Sequence, residues 1–317
     1  MKKRLFPTCL LFLFLLQHTQ AQVPPPLPAN QLTFSAGSHT LPFQWKGDSL
    51  HGQWEPHAAL LIPVTIPGCP QTCYMQFDTG SPYSLFYRDK LQAIHRRYPA
   101  ITALQKPGDT LTNFSFKAGP LTINASQIAV QLFDSSGIDW NNKQSLPIIG
   151  TLGTDLIDNK IIAIDYPGKQ LIIGDSLPAA YRKTSSASFI YAMRRILLPA
   201  LIQGKKTILY FDSGSSAFEL LTDQATCRKL AADSSQPISY GVQSWGKTLT
   251  ANTITTNDSI TLAGQAIPIR RATWIEGVSE TQVSQMMKMG IGGMTGNKLF
   301  LQNILVLDTR NKQFNLF

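Results

Sequence analysis

Two aspartates, Asp78 and Asp212, sit in near-identical phrases, Phe77-Asp78-Thr79-Gly80-Ser81 and Phe211-Asp212-Ser213-Gly214-Ser215, 134 positions apart. Each follows an apolar run and precedes a glycine-containing turn. Chance would place one Asp-[Ser/Thr]-Gly-Ser in about one chain in a hundred of this length, so the doubled phrase asks for a chemical reason beyond two ordinary Asx turns. A carboxyl pair supplies one. Held about 3 Å apart at an effective dielectric of about 20, two carboxylates repel by about 5 kcal/mol, so one keeps a proton while the other ionises. Such a pair takes a proton from water with one member and gives one with the other, and its titration belongs to the pair.

The neighbours of the aspartates suit that task. Gly80 and Gly214 let backbone approach backbone and turn amides toward the carboxylates. Ser81 and Ser215 are placed to donate to the outer carboxylate oxygens and so favour the ionised form.

The rest of the chain repeats as well. Gly153-Thr-Asp-Leu-Ile-Asp-Asn-Lys-Ile-Ile-Ala-Ile-Asp165 aligns without a gap on Gly296-Asn-Lys-Leu-Phe-Leu-Gln-Asn-Ile-Leu-Val-Leu-Asp308, and the match runs on through Lys169 with Lys312 and Gln170 with Gln313. Phe114 to Ile123 and Ile260 to Ile269 share a strand, turn, strand outline. Two copies are too few for a solenoid, so the expectation is a duplicated unit paired about a pseudo-twofold axis, each copy giving one aspartate to a shared cleft. Strand signals dominate, at Leu60 to Ile66, Tyr74 to Phe77, Ile161 to Ile164, Ile208 to Phe211, Ile260 to Leu262 and Ile304 to Leu307. Helices are expected over Asp89 to Arg97, Thr222 to Ala232 and Glu280 to Met289. The fold class is mostly β.

These phrases resemble the pepsin-like aspartic peptidases, strongly at the aspartates and more loosely at Thr151-Leu152-Gly153-Thr154-Asp155-Leu156 and Met294-Thr295-Gly296-Asn297-Lys298-Leu299-Phe300, the segments that thread behind each aspartate turn. The resemblance implies two β lobes, residues 31–185 and 186–317, around a cleft that takes a peptide in extended form, with no cofactor. It implies that Thr79 and Ser213 bond across the lobe interface. It also implies a flap with a tyrosine in the first lobe, and none occurs around Thr112 to Ile123. The nearest likeness is Tyr240-Gly241-Val-Gln-Ser-Trp245-Gly246, expected to cover the cleft from the second lobe and to bind substrate through Tyr240, unless it is an ordinary hairpin with a packed Trp245.

Composition and the leader bound the setting. Lys2, Lys3 and Arg4 precede the apolar run Leu10 to Leu16 and then Thr19-Gln20-Ala21, which reads as a signal peptide over residues 1–21, too short to span a bilayer. The proline-rich stretch of 22–30 reads as a tether. A net charge of +9, which falls to +6 without the three leader residues, is spread along the chain, so a solvated basic face is expected in place of a nucleic-acid site. The mature chain reads as a globular monomer without an integral membrane segment, exported to the periplasm or beyond. In that compartment a Cys69–Cys73 disulfide is expected, with Cys227 a buried thiol. His39, His51, His57 and His95 have no metal-ligand spacing. A serine hydrolase is disfavoured, because no histidine follows His95 and no Gly-x-Ser-x-Gly elbow is present. The remaining alternative is an inactive peptide- or wall-binding protein on the same fold.

Overall fold

Period-two burial writes the strands. In Cys73–Phe77, residues Cys73, Met75 and Phe77 are buried while Tyr74 and Gln76 are half-buried, the pattern of a strand with one face on a core. Lys205–Phe211, exposed at its start and buried at Leu209, Tyr210 and Phe211, leads to Asp212. The computed structural model describes residues 27–50, 52–105, 107–133, 137–142, 145–181, 186–233, 235–244, 247–278 and 289–317. The leader of 1–21, most of the tether, Trp245 and all but the last residue of the expected helix Glu280 to Met289 lie outside them. The other two expected helices are present as Arg88–Arg97 and Gln224–Leu230, the second starting on the Asp223 carboxylate, which accepts from the Thr226 amide. Among the described residues no helix is long and apolar enough to cross a membrane.

The strands form three sheets. An eight-stranded sheet contains Cys73–Phe77 beside Ile148–Leu152, and a ten-stranded sheet contains Lys205–Phe211 beside Ile291–Thr295; both of these pairs are parallel. The two outlined hairpins occur as Thr110–Ala118 with Leu121–Gln131 and as Ser259–Leu262 with Gln265–Pro268. A central six-stranded sheet takes strands from both halves in the order Ala187–Ser188, Gln313–Leu316, Ile304–Asp308, Ile161–Asp165, Gln170–Gly174, Ser38–Pro42. Its middle pair is the sequence repeat meeting itself. Ile161 pairs with Asp308, Ala163 with Val306 and Asp165 with Ile304, and Ala163 and Val306 are counterparts in the gap-free alignment. A residue paired with its own counterpart marks the pseudo-twofold axis.

Residues before the first aspartate belong to this fold. Ser38–Pro42 closes the central sheet, and Phe43 and Trp45 pack edge to face at 5.3 Å, with Trp45 stacked on Tyr166 at 6.2 Å. Tyr166 stacks on Phe300 at 6.2 Å, and Phe300 meets Phe211 edge-on at 5.5 Å, so aromatic contacts run from the central sheet to the residue before Asp212.

The expected Cys69–Cys73 disulfide is corrected: both are free, buried thiols. The Gln71 carbonyl stands in the turn between them and takes the Cys69 thiol at 3.6 Å and the Cys73 thiol at 4.0 Å. Burial, and then the neighbouring Cys69, pushes the Cys73 thiol up to about 12, which keeps it protonated and a poor nucleophile. Cys227 is the buried thiol expected, raised to about 12 by burial.

Phe300 is fully buried at the junction of the central sheet and the Asp212 turn. Phe300→Ala is expected to cost about 3–5 kcal/mol, read as a lower denaturation midpoint at unchanged denaturant slope.

Candidate active site

Each aspartate leaves its strand as the chain turns, and each turn is held from behind by the neighbouring parallel strand. The Asp78 amide donates to the Leu152 carbonyl at 2.9 Å and the Asp212 amide to the Thr295 carbonyl at 2.9 Å, contacts related by the pseudo-twofold. Within each turn the glycine amide returns to the carboxylate. Gly80 donates to Asp78 Oδ1 at 2.8 Å and Gly214 to Asp212 Oδ1 at 2.9 Å.

The two turns then grip each other. Thr79 N–H donates to Ser213 Oγ and Ser213 N–H to Thr79 Oγ1, both at 2.8 Å. The same hydroxyls donate onward across the interface, Thr79 to the Phe211 carbonyl at 3.0 Å and Ser213 to the Phe77 carbonyl at 2.9 Å. All four bonds are buried, so none is replaced by water when it breaks. Glycine is required at the centre. A β-carbon on Gly80 would stand 2.4 Å from Asp212 Oδ1, and one on Gly214 would stand 2.4 Å from Asp78 Oδ1.

This arrangement brings Asp78 and Asp212, 1% and 0% exposed, within hydrogen-bonding reach of each other. Burial, then the charge of Asp212, holds the Asp78 carboxyl well above the usual range. Burial also raises Asp212, but the Ser215 hydroxyl, the Asp78 carboxyl and the Gly214 and Ser215 amides pull it back down. The pair is therefore unequal. Ser215 Oγ donates to Asp212 Oδ2 at 2.9 Å as the sequence suggests. Ser81 does not do the same for Asp78. Its hydroxyl goes to the Tyr83 carbonyl at 2.7 Å, in a loop where Pro82 stands in the place of Ser216. Among the described residues no group donates to Asp78 Oδ2, which is buried.

The glycine segments behind the turns, and residues the sequence reading did not single out, supply further supports. Thr154 holds the Ser81 carbonyl through its amide at 2.8 Å and its hydroxyl at 2.9 Å. Its counterpart Asn297 donates to the Ser213 carbonyl at 2.9 Å and accepts from Tyr166 Oη at 2.8 Å. Each half also reaches across with an arm. Ser216 Oγ donates to the His57 carbonyl at 2.7 Å, next to a Lys298–Glu55 ion pair, while Arg194 reaches the Pro82 carbonyl at 3.5 Å and pairs with Asp158 at 2.7 Å. Arg194 also donates to the Pro28 carbonyl at 3.2 Å, which ties the start of the described chain to the Asp78 loop. Pro82 and Ser216 are 134 apart, the aspartate spacing, so the alignment could have pointed to them; the arms themselves carry no motif.

Tyr240 is half-buried on the hairpin formed by Ile238–Ser244 and Lys247–Thr255. Its hydroxyl lies 3.0 Å from Thr253 Oγ1, and its ring packs on a small apolar cluster that includes Tyr210, two residues before Asp212. The hairpin also touches Gln44–Leu50 of the other half.

No family model matches this sequence, and no curated protein matches it. Among solved structures, an aspartic proteinase from Irpex lacteus matches at 12% identity and a TM-score of 0.48, over 88% of this chain and 97% of that one. At that level nothing about activity passes from one chain to the other.

Two outcomes follow for stability. Thr79→Ala strands the Ser213 amide and is expected to cost about 1–3 kcal/mol, with Thr79→Ser recovering most of it in urea titrations. Asp155 accepts from the Ser84 amide at 2.8 Å and hydroxyl at 2.7 Å, yet burial raises it to about 6. Its folded value exceeds the unfolded one, so its contribution is full below about pH 4 and is lost as pH rises through about 6. That loss is on the order of 3 kcal/mol, and Asp155→Asn is expected to flatten that part of the stability curve.

Proposed function

We propose that this chain is an exported aspartic endopeptidase that hydrolyses peptide bonds with water activated between Asp78 and Asp212, in a cleft between lobes 31–185 and 186–317. The observation that carries the reading is the pair of carboxyls held within hydrogen-bonding reach across the pseudo-twofold interface, only one of them with a serine hydroxyl. Asp212, stabilised by Ser215 and two amides, is the carboxylate. Asp78 carries the proton.

Water placed between them loses a proton to Asp212 while its oxygen attacks the substrate carbonyl carbon, and Asp78 gives its proton to the carbonyl oxygen. The result is a neutral tetrahedral diol. Its collapse returns a hydroxyl proton to Asp78, and the proton on Asp212 passes to the departing nitrogen, so the pair ends as it began. An extended substrate strand, paired through main-chain hydrogen bonds, supplies the orientation. Export rests on the basic and apolar leader of 1–21.

A binding protein that keeps the scaffold is the competing reading, and near-complete burial of both carboxyls is the observation in its favour. Incubation of the mature chain with an unstructured polypeptide separates the two. Hydrolysis is expected on the acid side of neutrality, falling at higher pH as the shared proton leaves and at lower pH as a second proton binds. Asp78→Asn and Asp212→Asn are each expected to slow it by roughly 10²–10⁴-fold, and a statine-type inhibitor to block it. Turnover that climbs steadily into alkali, or that survives either substitution, overturns the reading.

A further inference from the structure

The two sides of the aspartate pair are related by the pseudo-twofold in backbone and unrelated in chemistry. Gln76 precedes Asp78 by two residues and therefore shares its face of the strand; Tyr210 stands in the same relation to Asp212. The next strand over continues each face. Gln76 pairs in register with Thr151, and Tyr210 with Met294.

On the Asp78 side the lining is polar, with Thr151 and Tyr87 buried behind a part-exposed Gln76. Gln76 is half-buried, and its amide makes no hydrogen bond with any described residue. Beside it the Thr151 and Tyr87 hydroxyls lie 2.9 Å apart, and Tyr87 is stacked at 4.1 Å on Phe133, which is 40% exposed. A half-buried amide with nothing to bind, next to two hydroxyls and an aromatic face, suits a side chain that itself donates and accepts hydrogen bonds.

On the Asp212 side the lining is apolar and filled. The Tyr210 ring is buried among Phe218, Val242 and Met294, and its hydroxyl donates to the Gly80 carbonyl at 3.4 Å, inside the opposite aspartate turn. That ring reaches across the interface, where Gln76 makes no matching contact with a described residue.

Resting on the peptidase reading above, we infer that the site selects opposite chemistries on the two sides of the cut bond: an amide or hydroxyl side chain against Gln76 and Thr151, and a small apolar one against Tyr210. Tyr210 is thus a specificity-determining residue that limits size, and Gln76 one that selects polarity. A site built to hydrogen-bond a side chain rejects an apolar replacement far more strongly than an apolar wall distinguishes sizes, so the polar preference should be the sharper of the two.

The test is a library of unstructured peptides digested by the mature protein, with product ends read by mass spectrometry. Wild type is expected to cut where Asn, Gln, Ser or Thr flanks one side and Gly or Ala the other. Gln76→Leu should move only the first preference, toward Leu or Met, by about tenfold or more in kcat/KM. Tyr210→Ala should admit Leu and Phe at the second position and leave the first alone, while Tyr210→Phe keeps the wild-type profile. If Tyr210→Ala does not fold, Tyr210→Leu should show the same broadening to a smaller degree. Cutting between two large apolar residues by wild type, or an unchanged profile in Gln76→Leu, overturns this inference alone. Absence of cutting by wild type at every pH overturns the peptidase reading and this inference with it.

Discussion

Two hydroxyls, on Thr79 and Ser213, hold the turns together, and everything else at the interface depends on their being exchanged between halves. Each accepts an amide from the opposite turn and donates to a carbonyl of the opposite strand. Four buried hydrogen bonds therefore oppose any separation of the turns. The electrostatic repulsion between the aspartates is relieved at the same point by a single proton. Glycines 80 and 214 complete the arrangement, since any larger residue would occupy the place of the opposing carboxyl.

From that near-symmetric frame the local differences acquire meaning. Ser215 faces its aspartate while Ser81 faces a carbonyl, and the substitution of Ser216 by Pro82 accompanies the change. Arg194 braces one turn and the His57 carbonyl the other. Met193 and Arg194, at φ 52° and 56°, form a two-residue turn in the left-handed region without a glycine, a conformation that the ion pair with Asp158 helps to hold. Backbone symmetry sets where the carboxyls meet. Side-chain asymmetry makes their two environments unequal.

Much of this was legible in the amino acids. The doubled aspartate phrase named the residues that meet, and the gap-free match of 153–165 with 296–308 carried the duplication, though not the pairing of the matched strands with each other. Short β-branched and aromatic runs located the strands, because such side chains fit a pleated, half-buried surface. Less was legible where a contact depends on the third dimension alone. Ser81 and Ser215 are the same residue type in the same phrase, and only the loop that follows sends one hydroxyl away. Arg194 and Glu55 are charged residues without a motif, brought to the turns by strands whose crossing no local pattern encodes. Cys69 and Cys73 looked like a bridge by spacing, but a carbonyl in the turn accepts both thiols.

The pairing of Ala163 with its counterpart Val306 has one more consequence. A contact in which a surface meets its own copy is the isologous contact of a two-subunit assembly, here made within one polypeptide. In an assembly of identical subunits any substitution appears twice, so acid and carboxylate, or a polar wall and an apolar one, could not be allotted to different subunits by mutation. Fusion of the copies into one chain lifts that constraint. Gln76 and Tyr210 can then diverge across the axis while the ladder at its centre stays in step.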